Sequence, residues 1–248
     1  MRKIFYFLLA AMTLTFAACG GNEPEPQPQL PEGALKGIFS VGENTKVYFS
    51  QGNLQYVGTW QFAEKQTECF GNNQSDDHRD LFGWGTGDKP NEVSEDNSAY
   101  NKFVEWGNNK ITNGGNKEGL WRTLMKEEWK YLFETRDNAA NLYKASTIEG
   151  NYGMVVLPDN WETPAIEDTY TKIQWADLED AGAVFLPAAG SRYGTEVDGV
   201  GSKVVYWSSS PNGGNGASAF EFTSNSFNPN AGFFRFSGLS VRLVHDVK

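Results

Sequence analysis

The sequence predicts an α+β domain. Short runs of β-branched and aromatic residues, each bounded by Gly, Asn or Pro, recur along the chain. Two stretches carry the apolar spacing of a helix. These helices and strands do not alternate regularly, so a parallel sheet built from βαβ units is not expected. The chain has 248 residues, 39% hydrophobic and 14% aromatic with eight Trp. That is enough to bury a sizeable core without covalent staples.

Three segments are expected: a signal at residues 1–18, a tether at 19–32 and the folded domain at 33–248. Arg2 and Lys3 precede a mostly apolar run too short to span a bilayer comfortably. It ends in Phe16-Ala17-Ala18-Cys19. Small residues just before a Cys resemble a bacterial lipoprotein signal. The resemblance implies cleavage before Cys19, lipidation of Cys19 and attachment to the outer membrane through an N-terminal lipid anchor. Prolines alternate with acids and amides from Glu23 to Gln29, which predicts an extended, solvated tether. Glu23 and Glu25 partly match the export signal of surface-exposed lipoproteins in the Bacteroidetes, so the cell surface and the periplasm are the two sides to consider. Cleavage removes Arg2 and Lys3 and takes the formal net charge from −10 to −12. Such a chain is a poor partner for nucleic acid, which is bound by neutralising phosphates. It is equally poor at adhering to anionic lipid, so the acyl chains alone make the membrane link. Cys69 is the only other cysteine, which leaves no intrachain disulfide.

The domain opens with Gly37-Ile38-Phe39-Ser40-Val41 and Lys46-Val47-Tyr48-Phe49-Ser50, two β-type runs joined by Gly42-Glu43-Asn44-Thr45. Residues 53–57 and 59–62 continue in the same style around Gly58. Residues 70–98 are polar and irregular. Asp76, Asp77, His78 and Asp80 fall there, but their order does not fit a calcium loop, and the chain holds only two His. A solvated acidic loop is expected, with no metal and no other cofactor. Asn97 or Ser98 caps a short helix reaching Trp106. A clearer helix begins at Thr123 as N-cap, with Glu127 and Glu128 near its positive end. Met125, Trp129, Leu132 and Phe133 form its apolar face. Glu127 and Glu128 are adjacent and point apart, so they do not form a catalytic pair. Residues 153–158 form a buried strand ended by Pro158. Residues 170–181 form a second helix, with Ile173, Trp175, Leu178 and Ala181 apolar, and residues 182–190 another buried strand. Strands at 204–208, 217–223, 232–236 and 240–245 complete the domain.

The C-terminal stretch has an unusual composition. Between Ser208 and Ser240 there is no Lys, Asp, Gln, Met or Trp, and the only charges are Glu221 and Arg235. Asparagines are interleaved with phenylalanines. Aromatic rings among small amide and hydroxyl side chains are the composition of a recognition surface, and equally of Gly/Asn-rich hairpins with their rings in the core. The candidate ligand-binding residues are Asn212, Asn215, Asn225, Phe227, Asn228, Asn230, Phe233 and Arg235. No catalytic residue is expected.

Three stretches together carry a family resemblance: Trp121-Arg122-Thr123 with Glu128-Trp129 and Leu132, then Tyr206-Trp207-Ser208-Ser209, then Gly238-Leu239-Ser240-Val241-Arg242-Leu243-Val244. They resemble the Fibrobacter succinogenes major paralogous domain, related to the C-type-lectin-like fold of the formylglycine-generating-enzyme family. The resemblance implies one domain with a small twisted antiparallel sheet, two main helices and long loops. It places residues 239–244 centrally and makes Arg242 a structural arginine. A formylglycine-generating enzyme uses paired cysteines, and this chain offers Cys69 alone. The related iron-dependent sulfur-transfer enzymes use a His-based metal site that His78 and His245 do not supply. Calcium-dependent lectins carry a Glu-Pro-Asn or Gln-Pro-Asp triplet and a Trp-Asn-Asp triplet; here the nearest strings are Lys89-Pro90-Asn91 and Trp207-Ser208-Ser209.

Residues 208–240 also resemble the variable region of retroelement-diversified ligand-binding proteins. Their variable positions exclude Lys, Glu, Gln, Met and Trp, so Glu221 would be a fixed position. The resulting expectation is a lipid-anchored, non-enzymatic envelope protein that binds a protein or glycan through its C-terminal surface. The alternatives are an altered enzyme of the formylglycine-generating type, using Cys69 or residues 76–80, and a structural envelope or fimbria-associated protein.

Overall fold

The computed structural model describes residues 30–162 and 164–248. The signal segment, Cys19 and most of the tether lie outside the described residues. The fold is mostly small antiparallel sheets with two α-helices, in agreement with the α+β expectation.

One four-stranded sheet runs in the order Phe39–Gly42, Thr45–Phe49, Leu243–Asp246 and Arg122–Thr123. A second runs Thr169–Tyr170, Tyr143–Ile148, Asn151–Val156 and Val184–Pro187; only the pairing of its first two strands is parallel. The C-terminal strands Val204–Pro211, Gly216–Thr223 and Ser226–Phe234 form a third sheet in sequence order. Two small hairpins, Leu54–Tyr56 with Trp60–Phe62 and Ser191–Tyr193 with Glu196–Asp198, complete the strands.

The continuous apolar runs of the sequence are strands buried on both faces. Val204 and Tyr206 enter the core around Phe49, Trp129 and Phe220. Val205 and Trp207, pointing the other way, enter the core around Trp60, Phe82 and Trp121. Met154 and Val156 face the first of these cores, whereas Val155 enters a third core beneath the helix Lys172–Asp180, with Trp175, Leu178 and Phe185. The indole of Trp207 donates to Phe82 O at 2.7 Å and that of Trp129 to Trp207 O at 3.3 Å. These two rings are thus buried with their donors satisfied, whereas the buried Trp106 Nε1 has no partner among the described residues.

The last segment is held on both sides. Phe82 and Leu239 exchange backbone hydrogen bonds, Trp207 N donates to Ser240 O, Leu54 N to Val241 O and Ser50 N to Leu243 O. Arg242 is fully buried beside them and has no carboxylate partner among the described residues. Its Nη2 donates to Gln66 Oε1 at 2.7 Å and its Nη1 to Asn53 Oδ1 and Phe185 O, each at 3.4 Å.

Both helices depart from expectation. Thr123 is not an N-cap: its N–H and hydroxyl both donate to the Glu105 carboxylate, at 3.0 and 2.6 Å, and its backbone joins the sheet. The α-helix starts later, at Lys126–Lys130, and widens into a π-helical turn over Tyr131–Thr135. Glu128 reaches back to Met125 N at 2.7 Å and forms a two-point pair with Arg122, both contacts 2.7 Å. Trp129, Leu132 and Phe133 are buried as expected, but Met125, lying before the helix, is 50% exposed. In Lys172–Asp180, Trp175 and Leu178 face the core, while Ile173 is 79% exposed and Ala181 is exposed just past the last turn. Thr171 caps this helix with Gln174. The single helix expected before Trp106 is two 3-10 turns, Asn97–Tyr100 capped by Asp96 and Trp106–Asn108 preceded by Glu105.

Removing the Gln66 amide strands Arg242 Nη2 and Phe185 N in the core. Gln66→Ala is expected to lower stability by about 3 kcal/mol, read as a fall in the urea midpoint at unchanged m. A loss under about 1 kcal/mol would show that water replaces the amide.

Candidate functional site

The third sheet gives the candidate residues their positions. Strand Gly216–Thr223 pairs with Ser226–Phe234 from Gly216↔Phe234 at one end to Thr223↔Ser226 at the other. At ~3.3 Å per residue those ends lie roughly 23 Å apart. The expected single surface is therefore divided. Asn212, Asn215, Phe233 and Arg235 gather at the end formed by the turn after Pro211. Asn225, Phe227 and Asn228 lie at the opposite end, and Asn230 falls between.

At the far end Phe227 is only 37% exposed. Its ring stacks on Tyr143 at 5.1 Å and meets Phe133 edge-on at 5.6 Å, so it closes the core. Asn228 Oδ1 accepts from Asn230 N, which spends that amide oxygen on its own strand.

The near end forms an open groove. Its volume is about 580 Å³, and it is lined by Tyr193, residues 212–216 and residues 232–234. The turn is tight: Asn212 N donates to Gly216 O and Gly216 N to Gly213 O. A Cβ on Gly216 would sit 2.4 Å from Asn212 O, so the turn needs glycine there. Arg235 fixes the turn from behind. Its Nε donates to Gly216 O at 3.0 Å, and its guanidinium lies 4.6 Å from the centre of the Trp84 ring. The arginine expected as a ligand anchor thus holds the groove's wall.

Two lining rings were not among the candidates. Tyr193 is 48% and Phe234 53% exposed. Phe236 supports both, stacked on Phe234 at 5.2 Å and edge-on to Tyr193 at 5.2 Å. Tyr193 is set by its neighbour Arg192. The buried Arg192 guanidinium donates to Leu81 O, Gly194 O and Glu92 O, and its backbone exchanges hydrogen bonds with Gly238. Burial and the nearby Arg79 push its pKa down to about 10. Phe233 is half-buried, its ring edge-on to Trp207 at 6.3 Å. The side-chain amides of Asn212 and Asn215 and the Tyr193 hydroxyl have no hydrogen-bond partner among the described residues. No charged side chain lines the groove.

The other candidate chemistry lies elsewhere. Cys69 lines a small cavity of about 120 Å³ with Tyr152 and Val200. Burial, then the Asp80 charge, push its thiol up to about 11, away from the thiolate a nucleophile needs. The loop expected to be solvated is instead anchored by Asp80, which is fully buried. Gln74 Nε2 donates to Asp80 Oδ1 at 2.6 Å and Phe70 N to Oδ2 at 2.7 Å, while Gln74 Oε1 accepts from Asp80 N. Asp76 pairs with the buried Arg79 at 3.4 Å. Among the described residues no three His, Cys, Asp or Glu side chains come together as a metal site. No helix among them is long and apolar enough to cross a membrane.

No family model matches the chain, no curated protein matches it and no solved structure matches it.

Burial pushes the Asp80 carboxyl from 3.8 up to about 6. The folded state therefore holds this proton more tightly than the unfolded chain. The stability it contributes is complete below 3.8 and is lost as pH rises through about 6, an effect of about 3 kcal/mol. Asp80→Asn is expected to be less stable overall, because its amide NH2 must face a donor. The stability of the natural protein minus that of the variant should fall between pH 4 and 6, as measured by urea unfolding at stepped pH. A constant difference would rule out titration of Asp80.

Proposed function

We propose that this chain is a lipid-anchored cell-envelope protein whose C-type-lectin-like domain binds its ligand non-covalently in the groove of Tyr193, Asn212, Asn215 and Phe234. One observation carries the reading: exposed aromatic faces and unpartnered amides converge on a concave, uncharged surface. Convergent polar groups in an apolar hollow are the usual form of a ligand site. The C-type-lectin-like assignment draws support from the small antiparallel sheets, the two helices and the position of Leu243–Asp246 between Thr45–Phe49 and Arg122–Thr123. The envelope assignment rests on the apolar run ending at Cys19 and the Pro-rich tether behind it. The binding role is favoured over an enzyme of the formylglycine-generating type because the Cys69 thiol is held protonated and the Asp80 carboxylate is fully enclosed.

The same reading takes residues 208–240 for a diversified region. Asn212, Asn215, Asn225, Asn228 and Asn230 are among its exposed positions. Glu221, half-buried and accepting from Ser226 Oγ at 3.3 Å, is a fixed one.

Gly232 offers a direct test. It is exposed on the edge strand, and a Cβ there meets only the end of the Asn212 side chain, at 2.8 Å. Gly232→Val fills the groove without touching the core, so its unfolding free energy should stay within about 0.5 kcal/mol of the parent. On an array of glycans and proteins, the parent chain is expected to mark features that the variant does not. Identical binding patterns for the two chains would refute the groove as the site.

A further inference from the structure

The chemistry of the groove is specific enough to name a ligand class. We propose that it takes a neutral carbohydrate chain, with a sugar ring lying on Phe234 and Tyr193 and its hydroxyls bonded to Asn212 and Asn215, and with no metal ion in the contact. This rests on the binding reading above and deepens it.

Four features lead there. The first is neutrality. The chain carries a formal charge of −10, yet no charged side chain lines the groove. An ionic ligand would leave water for this hollow with no counter-charge, at a cost that a neutral one avoids.

The second is the presentation of the rings. Phe236 covers one face of Phe234 at an interplanar angle of 7°, which leaves the other face for a ligand. Tyr193 meets Phe236 at 87°, so the Tyr193 ring stands nearly perpendicular to Phe234 and forms a second wall. A sugar ring has an apolar C–H face that lies flat on an aromatic ring. Rings braced in this way lose little conformational freedom on binding.

The third is the match of polar groups. The Asn212 and Asn215 amides and the Tyr193 hydroxyl each both donate and accept. Sugar hydroxyls do the same. A proline-rich peptide, which also seeks aromatic grooves, offers acceptors but few donors.

The fourth is size. The groove of about 580 Å³ falls within the range of small-ligand sites. Its lining residues number nine, whereas a stable protein interface engages roughly 20–30 residues a side.

The experiment is affinity electrophoresis of the full chain, in EDTA and in parallel with calcium, through gels containing a β-glucan, a xylan or a galactomannan, with polygalacturonate as the anionic control. Retardation by at least one neutral polymer is expected. Phe234→Ala and Asn212→Ala should each weaken it at least tenfold, and Phe234→Tyr should restore it. The melting temperature of Phe234→Ala should match the parent, since that ring is half exposed. Retardation by none of the neutral polymers overturns the carbohydrate inference. So does retardation that requires calcium, or preference for polygalacturonate. In any of these cases, a protein feature on the array bound by the parent and lost by Gly232→Val leaves the groove reading standing. Retardation unchanged in Phe234→Ala, Asn212→Ala and Gly232→Val places the sugar elsewhere and overturns both.

Discussion

The rest of the structure depends on one buried cation. Arg242 is enclosed with no carboxylate against it among the described residues, and burial pushes its pKa down to about 10, still protonated at neutral pH. A buried charge is tolerable only where neutral dipoles surround it. Those dipoles come from distant parts of the chain. Gln66 Oε1 accepts from Arg242 and from Phe185 N, while Gln66 Nε2 donates to Ala183 O and to Glu179 of the second helix. Asn53 Oδ1 accepts from Arg242 and from the Tyr206 hydroxyl. The first hairpins, the Val184–Pro187 strand, the helix Lys172–Asp180, the third sheet and the last strand thus meet at one guanidinium. Each contact is a weak net contributor, but Arg242 Nε already lacks a partner among the described residues, and losing the Gln66 contact leaves a second buried donor unpaired.

That arrangement also fixes the base from which the turn after Pro211 rises. The strand Val204–Pro211 is buried on both faces as far as Ser208 and emerges only at its C-terminal end. The next turn therefore projects from a rigid base. Its free backbone groups are closed internally by Gly216 and Asn212, and Arg235 ties it to Trp84. The backbone of such a turn is held in place while its Asn212 and Asn215 side chains stay exposed. A tight polar turn on a fixed scaffold is where proteins usually carry recognition.

Much of the fold was legible in the sequence. The runs at 153–158 and 182–190 read as buried strands and are buried, and Leu239, Val241 and Leu243, alternating along the last segment, all enter the same core. The start of the first helix was not legible, because Thr123 is a good cap only when its hydroxyl is free, and Glu105, 18 residues away, captures it. Asp80 read as a solvated acid because composition cannot show that Gln74 folds over it. In the C-terminal stretch the composition could not show which rings project. Phe227 packs inward on Phe133 and Tyr143, while Phe234, two residues before Phe236, projects outward. Which ring projects depends on the pairing of Gly216 with Phe234 and on a shift of register between Ala219 and Glu221. A one-residue shift sends a side chain to the other face, and no local pattern announces it. Tyr193 was missed for a different reason: it comes from another hairpin and meets Phe236 only in the folded chain.

The division of that sheet also sets what its sequence can vary. Asn212 and Asn215 lie on the turn, Asn225 at the hairpin tip and Asn228 and Asn230 on the edge strand, all exposed. Replacing an exposed side chain that packs against nothing changes stability by about 0.5 kcal/mol or less. Phe220 is different: it is fully buried and stacked on both Trp129 and Phe133, and cutting such a ring to Ala costs ~3–5 kcal/mol. Gly216 is fixed by the backbone oxygen it would strike, and Arg235 by the turn it holds. Tolerant and intolerant positions therefore alternate over short distances along residues 208–240. Side chains around the groove can therefore change while the buried rings and the turn stay the same, without a change of fold.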